Sequence, residues 1–138
     1  MNIKRTIAAS VVLVITAGSL WAHHSVTAVF DTSKRIKIVG ELTQVAWVNP
    51  HIFVRVKGKI EGGPVQDWKV EGSPPAFYRR AGATSSTFSK HVGETVTIDG
   101  LASKDGSTYS YLQKITFANG DSLESASAAD AAAAERGK

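Results

Sequence analysis

The feature that most constrains the fold is an alternation of apolar and polar residues that recurs along the chain between turn residues. It first runs from Ile36 to Ala46, where Gly40 marks a bend or a bulge. Asn49-Pro50 interrupts it, because proline lacks a backbone N–H and fixes its own φ. The alternation then resumes over residues 51–59. Half-buried β-strands have this period, so the pattern predicts two strands joined by a turn.

A third strand and one short helix are predicted to follow. Residues 65–71 alternate again after a Gly-Gly-Pro turn. Ser73 can cap a helix whose first position is Pro74, and residues 76–81 would form its body. Gly82 would end the helix, because glycine readily adopts the left-handed conformation found after helix C-termini.

Two further strands complete the predicted architecture. Residues 95–100 alternate cleanly, residues 109–117 form a returning strand, and Asp105-Gly106 between them signals a hairpin. Five strands with a helix between the third and fourth match a five-stranded Greek-key barrel of the oligonucleotide/oligosaccharide-binding (OB) type. The predicted class is therefore all-β with one short helix. A small β-sandwich is the alternative, and the single mid-chain helix favours the barrel.

The first residues predict export. Lys4 and Arg5 precede an apolar run over residues 6–17, and the stretch Ala17-Gly18-Ser19-Leu20-Trp21-Ala22 then supplies small residues for a cleavage site. We expect a signal peptide over residues 1–22, cleaved after Ala22, with a site a few residues earlier as the alternative. An uncleaved anchor is disfavoured, because the run is shorter than the roughly 20 residues that span a bilayer. The expected location is the periplasm, without stable membrane insertion after cleavage.

The mature chain then divides into one domain and a tail. The domain covers residues 23–123 and includes an N-terminal extension before the first strand. Residues 124–138 are alanine-rich and offer no apolar side chain larger than alanine. We expect this tail to be flexible and to pack little.

Composition narrows the classes of function. The chain has no cysteine, which excludes disulfides, thiolate metal ligands and a cysteine nucleophile. The formal net charge of +4 falls to +2 once Lys4 and Arg5 are removed, which is too weak to indicate nucleic acid as a partner. Neither a G-x-S-x-G elbow nor an H-E-x-x-H helix is present, so no catalytic residues are assigned and we do not expect an enzyme.

Two histidines at the expected mature N-terminus indicate a candidate metal site. Cleavage after Ala22 would free the α-amino group of His23, which can chelate a metal ion together with its ring Nδ1. One further imidazole, from His24 or His51, would complete a T-shaped nitrogen site that copper(II) accepts. Glu71 could be a carboxylate ligand or the hydrogen-bond partner of an imidazole.

Each candidate also has a simpler explanation. An N-terminal His23-His24 pair can be a solvated end, and His51 can be a turn histidine bonded to the backbone. Glu71 can form an ordinary ion pair with Arg79 or Arg80. The spacing along the chain does not by itself bring these side chains together.

A second candidate site is a ligand groove. We expect Trp47, Asn49 and Trp68 to contribute to it, because indole rings and an amide can contact a sugar or an aromatic ligand. On strands, however, such rings are more often cross-strand packing pairs or core residues.

Several short motifs follow one another along the chain. They are Ala22-His23-His24-Ser25, Phe30-Asp31, Gly40-Glu41-Leu42, Trp47-Val48-Asn49-Pro50-His51, Trp68-Lys69-Val70-Glu71 and Lys104-Asp105-Gly106-Ser107. In this order they resemble a family of small exported bacterial proteins of unknown function, over nearly the whole mature domain, and W-x-N-P-H and W-x-x-E are the most distinctive pieces. The resemblance implies an exported domain that keeps the His-His start, and it implies no activity. The chain departs from the family where Gly82-Ala83-Thr84 follows the helix in place of a tryptophan, and in its alanine-rich tail.

Three functions follow, in descending order of support from the sequence. The first is a periplasmic protein that binds a metal ion, copper or another divalent cation, or a small ligand. The second is a metal-free interaction module of the cell envelope that uses an aromatic sheet surface. The third is a hydrolase, which would need His51 and Glu71 to meet an Asp or a Ser in one pocket.

Overall fold

The computed structural model describes residues 25–137 as a mainly β fold with a few short helices. Six strands form one sheet in the order β3-β2-β1-β4-β5-β6. In chain order the elements are α1 (Val26–Val29), β1 (Phe30–Ala46), β2 (Phe53–Lys59), β3 (Gln66–Glu71), α2 (Pro75–Arg80), α3 (Ser85–Ser89), β4 (Thr95–Ser103), β5 (Tyr109–Thr116), β6 (Ser122–Glu124) and α4 (Ala128–Arg136).

Hydrogen bonds run in a ring through five of the six strands. Neighbouring strands pair antiparallel, and the ring closes where β3 pairs with β5 in parallel. Along one edge, the first half of β5 pairs with β3, and its second half, from Lys114 to Thr116, pairs with β6. The five predicted strands and the helix between the third and fourth are confirmed. A second short helix, α3, follows that helix before β4, and α1, β6 and α4 are further elements.

The core lies inside this ring, on the faces that the alternation predicts for β2 and β3. Val54 and Val56 of β2 and Trp68 and Val70 of β3 are buried, and the residues between them point outward. Burial of these side chains is the main force that holds the strands together, because the chain has no cysteine.

The expectation of a bulge at Gly40 is wrong in position. The register of β1 against β2 shifts between Leu42 and Gln44, so the extra residue is Thr43. A bulge reverses the inward and outward alternation beyond it, which turns Val45 toward the core and Gln44 outward. Gly40 is required for another reason: a Cβ there would lie 2.3 Å from the Cα of Gly58 on the paired strand.

The predicted start of the mid-chain helix is also shifted. Helix α2 begins at Pro75, and Pro74 rather than Ser73 occupies the capping position. Ser73 is fully buried instead, where its N–H donates to the Tyr78 hydroxyl at 3.2 Å. Its own hydroxyl accepts from the N–H of Ala126 at 2.9 Å. Ser73 therefore ties the chain after β6 to the end of β3.

Helices α1 and α4 cover one part of the outer surface of the sheet. They enclose a second buried cluster that includes Val26, Phe30 and Tyr111. The sequence predicts a flexible tail that packs little over residues 124–138, whereas in the structure Ala128 and Ala132 of α4 are buried. None of the helices in residues 25–137 is both long and apolar enough to cross a membrane.

Candidate functional site

His51 lies in the turn between β1 and β2, immediately after the cis Asn49–Pro50 bond. Its ring Nδ1 is 3.0 Å from the carbonyl oxygen of Gly72, just beyond the end of β3. A carbonyl only accepts hydrogen bonds, so Nδ1 carries the hydrogen and donates it. When the ring carries this one hydrogen, the lone pair is on the other ring nitrogen, Nε2.

Glu71 adds a carboxylate to the same ring nitrogen. Its Oε1 is 3.4 Å from Nδ1 of His51, and its Oε2 accepts a hydrogen bond from the Tyr109 hydroxyl of β5. Burial, and then the hydrogen bond and charge of Glu71, hold the pKa of Tyr109 well above its usual value. The phenol therefore stays protonated and keeps donating. We call His51, Glu71 and Tyr109 the His51 cluster.

The His51 cluster fixes the direction of the imidazole. The side chains of His51 and Glu71 are only 18% and 15% exposed, and Gly72 is buried, so the carbonyl and the carboxylate beside Nδ1 are both sheltered from water. Metal-binding histidines are commonly held in this way, with the non-ligating N–H on a carbonyl or a carboxylate. The arrangement can therefore present Nε2 as one ligand atom in a set orientation.

Of the four predicted metal ligands, the structure brings together His51 and Glu71. His23 and His24 lie outside the described residues. Within residues 25–137 no group of three or more His, Asp or Glu side chains could hold a metal ion. The cluster by itself thus supplies one imidazole and one neighbouring carboxylate.

The three residues predicted to line a ligand groove are in different surroundings. Trp68 is only 6% exposed, and its indole N–H donates to the carbonyl of Gly58 at 3.2 Å. Trp47 packs against the rings of Tyr78 and Phe88. Asn49 is exposed in the turn before His51. Both indoles therefore contribute to packing of the sheet.

A family model for a family of unknown function (DUF6152) matches residues 10–112. The chain belongs to this family. No curated protein and no solved structure matches it. The family region contains all three residues of the His51 cluster and ends before β6 and α4.

Sequence reasoning missed Tyr109 as the third member of the cluster. Its phenol reaches Glu71 because β3 and β5 pair in parallel, with Lys69 opposite Tyr109. These strands are far apart in the chain, and local alternation does not show which strands become neighbours. The available signal was fold-level: the predicted barrel type requires the third and fifth strands to meet.

Proposed function

We propose that this protein is an exported, non-enzymatic metal-binding protein of the periplasm whose ligand is a divalent transition metal ion, copper(II) in the first instance. The observation that carries the proposal is the orientation of His51. Its Nδ1 is held by Gly72 and Glu71, and its Nε2 is left for a ligand. Imidazole nitrogen is a preferred ligand of copper(II), and a fixed ring lowers the cost of ordering it on binding.

The remaining ligands in this proposal are the imidazoles of His23 and His24 and the α-amino group freed by cleavage after Ala22. Contacts at the start of the described chain support their reaching His51. The Phe30 ring packs against the Tyr109 ring at a centroid distance of 4.9 Å, and Tyr109 bonds Glu71. The chain therefore enters the fold beside the His51 cluster, only a few residues after His24.

The same proposal assigns the fold to the OB-like Greek-key barrels. The order of the hydrogen-bonded ring, β1-β2-β3-β5-β4, supports this assignment, as does the parallel contact of β3 with β5. Helices α2 and α3 connect β3 to β4, as the barrel type requires. On such a scaffold the His51 cluster lies at the strand ends, where short loops can hold side chains rigidly.

The experiment is a copper(II) titration of the metal-free mature protein purified from the periplasm, after its N-terminus has been determined by mass spectrometry. Calorimetry gives the affinity and the stoichiometry, and electron paramagnetic resonance gives the number of nitrogen ligands. We expect one copper ion per chain, bound at least about tenfold more tightly than by a free peptide of residues 23–28. His51→Ala should reduce the affinity to that of the peptide.

Val48→Ala is the matched control, because Val48 is exposed in the same turn and offers no ligand atom. It should bind copper as the wild type does. Equal binding by His51→Ala and the wild type would contradict the proposal, and so would a wild type no tighter than the peptide. Either result would favour the metal-free envelope interaction module. A hydrolase is the least supported alternative, because it would need an Asp or a Ser beside His51 and Glu71, and the third member of the cluster is a tyrosine.

A further inference from the structure

One row of four side chains crosses the open part of the outer sheet surface. Residues opposite each other on paired strands point to the same side, and the neighbours of this row along β2 and β3, Val54 and Val70, are buried. The row therefore faces outward. Its members, one from each of β1, β2, β3 and β5, are Gln44, Arg55, Lys69 and Tyr109.

The row borders a small groove on this surface. Ala46 and Phe53 stand opposite each other in the next row and add an apolar floor. The groove has a volume of about 210 Å³ and is lined by Gln44, Ala46, Phe53, Arg55 and Lys69. Drug-sized ligands occupy roughly 300–1,000 Å³, so this space suits a smaller molecule, about the size of one ring with a substituent. The groove exists because the bulge at Thr43 turns Gln44 outward.

Two cations at the groove form no ion pair with an acidic side chain of residues 25–137. The Lys69 ammonium lies 4.3 Å from the centroid of the Phe53 ring and 4.9 Å from that of Tyr109, which holds it over the floor. In the described part of the chain, neither Lys69 nor Arg55 forms an ion pair. The nearby carboxylate of Glu71 accepts from Tyr109 and faces Nδ1 of His51.

We propose that this groove binds the carboxylate group of a small organic acid. The Arg55 guanidinium can take a carboxylate through two parallel hydrogen bonds, and Lys69 adds a point charge beside it. Gln44 supplies an amide donor, while Phe53 and Ala46 contact the apolar body of the acid. The site differs from the proposed metal site in its ligand atoms, and its occupation does not require a metal ion.

The test uses benzoate as the probe and benzamide as its neutral counterpart of the same shape. The mature ¹⁵N-labelled protein is treated with a chelator to remove metal and titrated with each compound by NMR. We expect benzoate to give saturable shifts in the backbone amides of the groove residues, and benzamide to bind at least about tenfold more weakly because the charge is lost. His51→Ala should bind benzoate as the wild type does, which separates this result from the outcome of the copper experiment.

Arg55→Gln and Lys69→Met should each weaken benzoate binding by about tenfold. Lys59→Met is the matched control, because Lys59 is exposed on β2, does not line the groove, and its loss changes the net charge equally. The proposal is overturned by the absence of saturable shifts, by equal binding of benzoate and benzamide, or by a loss in Lys59→Met as large as that in Lys69→Met. Circular dichroism of each variant checks that the fold is intact.

Discussion

Two histidines in two turns of this protein have the same partner type and different surroundings. In both, the ring Nδ1 faces a glutamate: Glu71 for His51 at 3.4 Å, and Glu94 for His91 at 2.7 Å. At His51 the ring and the glutamate are both largely buried, at 18% and 15% exposed. At His91 the ring is 6% exposed and Glu94 is 45% exposed. Whether the glutamate is sheltered from water decides what the pair can do.

His91 is a packing residue. Its ring stacks on Phe117 with a centroid distance of 4.1 Å and an interplanar angle of 14°. Glu94, three residues later in the same turn, satisfies its N–H from the solvent side. His51 instead pairs with Glu71 of β3, and the Glu71 carboxylate in turn accepts a hydrogen bond from Tyr109 of β5. A pair assembled by tertiary structure and kept away from water can orient a ligand atom, whereas a local and exposed pair mainly satisfies a buried ring.

The largest expected difference between the two turns is in stability. His91→Ala removes a buried, stacked ring and should lower the free energy of unfolding by about 2–3 kcal/mol. His51→Ala removes a half-buried ring with one carbonyl hydrogen bond and should cost about 1 kcal/mol. Urea unfolding followed by tryptophan fluorescence measures both. Val92→Ala, an exposed neighbour of His91, is the control and should change little; equal costs for the two histidines would remove the distinction.

For copper affinity the order of the two turns should be reversed: replacing the glutamate beside His51 should have the larger effect. Glu71→Gln keeps an acceptor for Tyr109 but removes the charge beside Nδ1 of His51, so the proposed copper affinity should fall by about tenfold. Glu94→Gln should leave the affinity within about twofold of the wild type, because the Glu94 carboxylate pairs with His91 and belongs to a different turn from the His51 cluster. Calorimetric titration of both variants makes the comparison. A similar loss in the two would mean that overall charge, and not the orientation of His51, governs binding.

Alkaline pH tests the third member of the His51 cluster, which the His91 pair lacks. The pKa of Tyr109 is raised in the folded protein, chiefly by burial and then by Glu71. The stability that this group contributes is therefore fully present below the ordinary tyrosine pKa of about 10 and is lost as the pH rises from there toward the folded value. Tyr109→Phe lacks this loss, so its free energy of unfolding should fall less steeply than that of the wild type.

Urea unfolding between about pH 8 and pH 11 measures both slopes. Tyr78, whose pKa is also raised by burial, is present in both proteins and so cancels in the comparison. Parallel curves for the wild type and Tyr109→Phe would show that neither burial nor Glu71 raises the pKa of Tyr109 in solution.

The sequence predicts the parts of this fold that depend on local alternation. The inward positions of β2 and β3, from Val54 to Val70, follow from period-two burial alone. The bulge at Thr43 does not, because a one-residue register shift leaves no composition signal when both faces carry mixed residues. That shift decides that Gln44, and not Val45, lines the open surface, so the groove beside Lys69 was not predictable from the sequence.

The candidate site also has a part that local sequence predicts and a part that depends on strand pairing. Glu71 was recognisable as a partner for an imidazole because it ends a strand, and His51 was recognisable as a ligand because it follows Asn49-Pro50 at a turn before a strand. Their proximity and the role of Tyr109 depend on which strands pair, and that is set by the whole hydrophobic core. The buried alanines of α4 were missed for a related reason: a helix of small side chains packs only where another surface comes close, here beside Val26.

The smallest effect expected concerns the exposed partner in the His91 turn. Glu94→Gln should lower the free energy of unfolding by no more than about 0.5 kcal/mol, because a half-exposed pair within one turn gains little in water. The amide can still accept from His91, and about 1 M salt should reduce the remaining difference by screening the charge. Urea unfolding at both salt concentrations measures this. A loss above about 1 kcal/mol that persists in salt would mean that the His91 pair is held as firmly as the His51 pair, and that burial of the glutamate does not distinguish them.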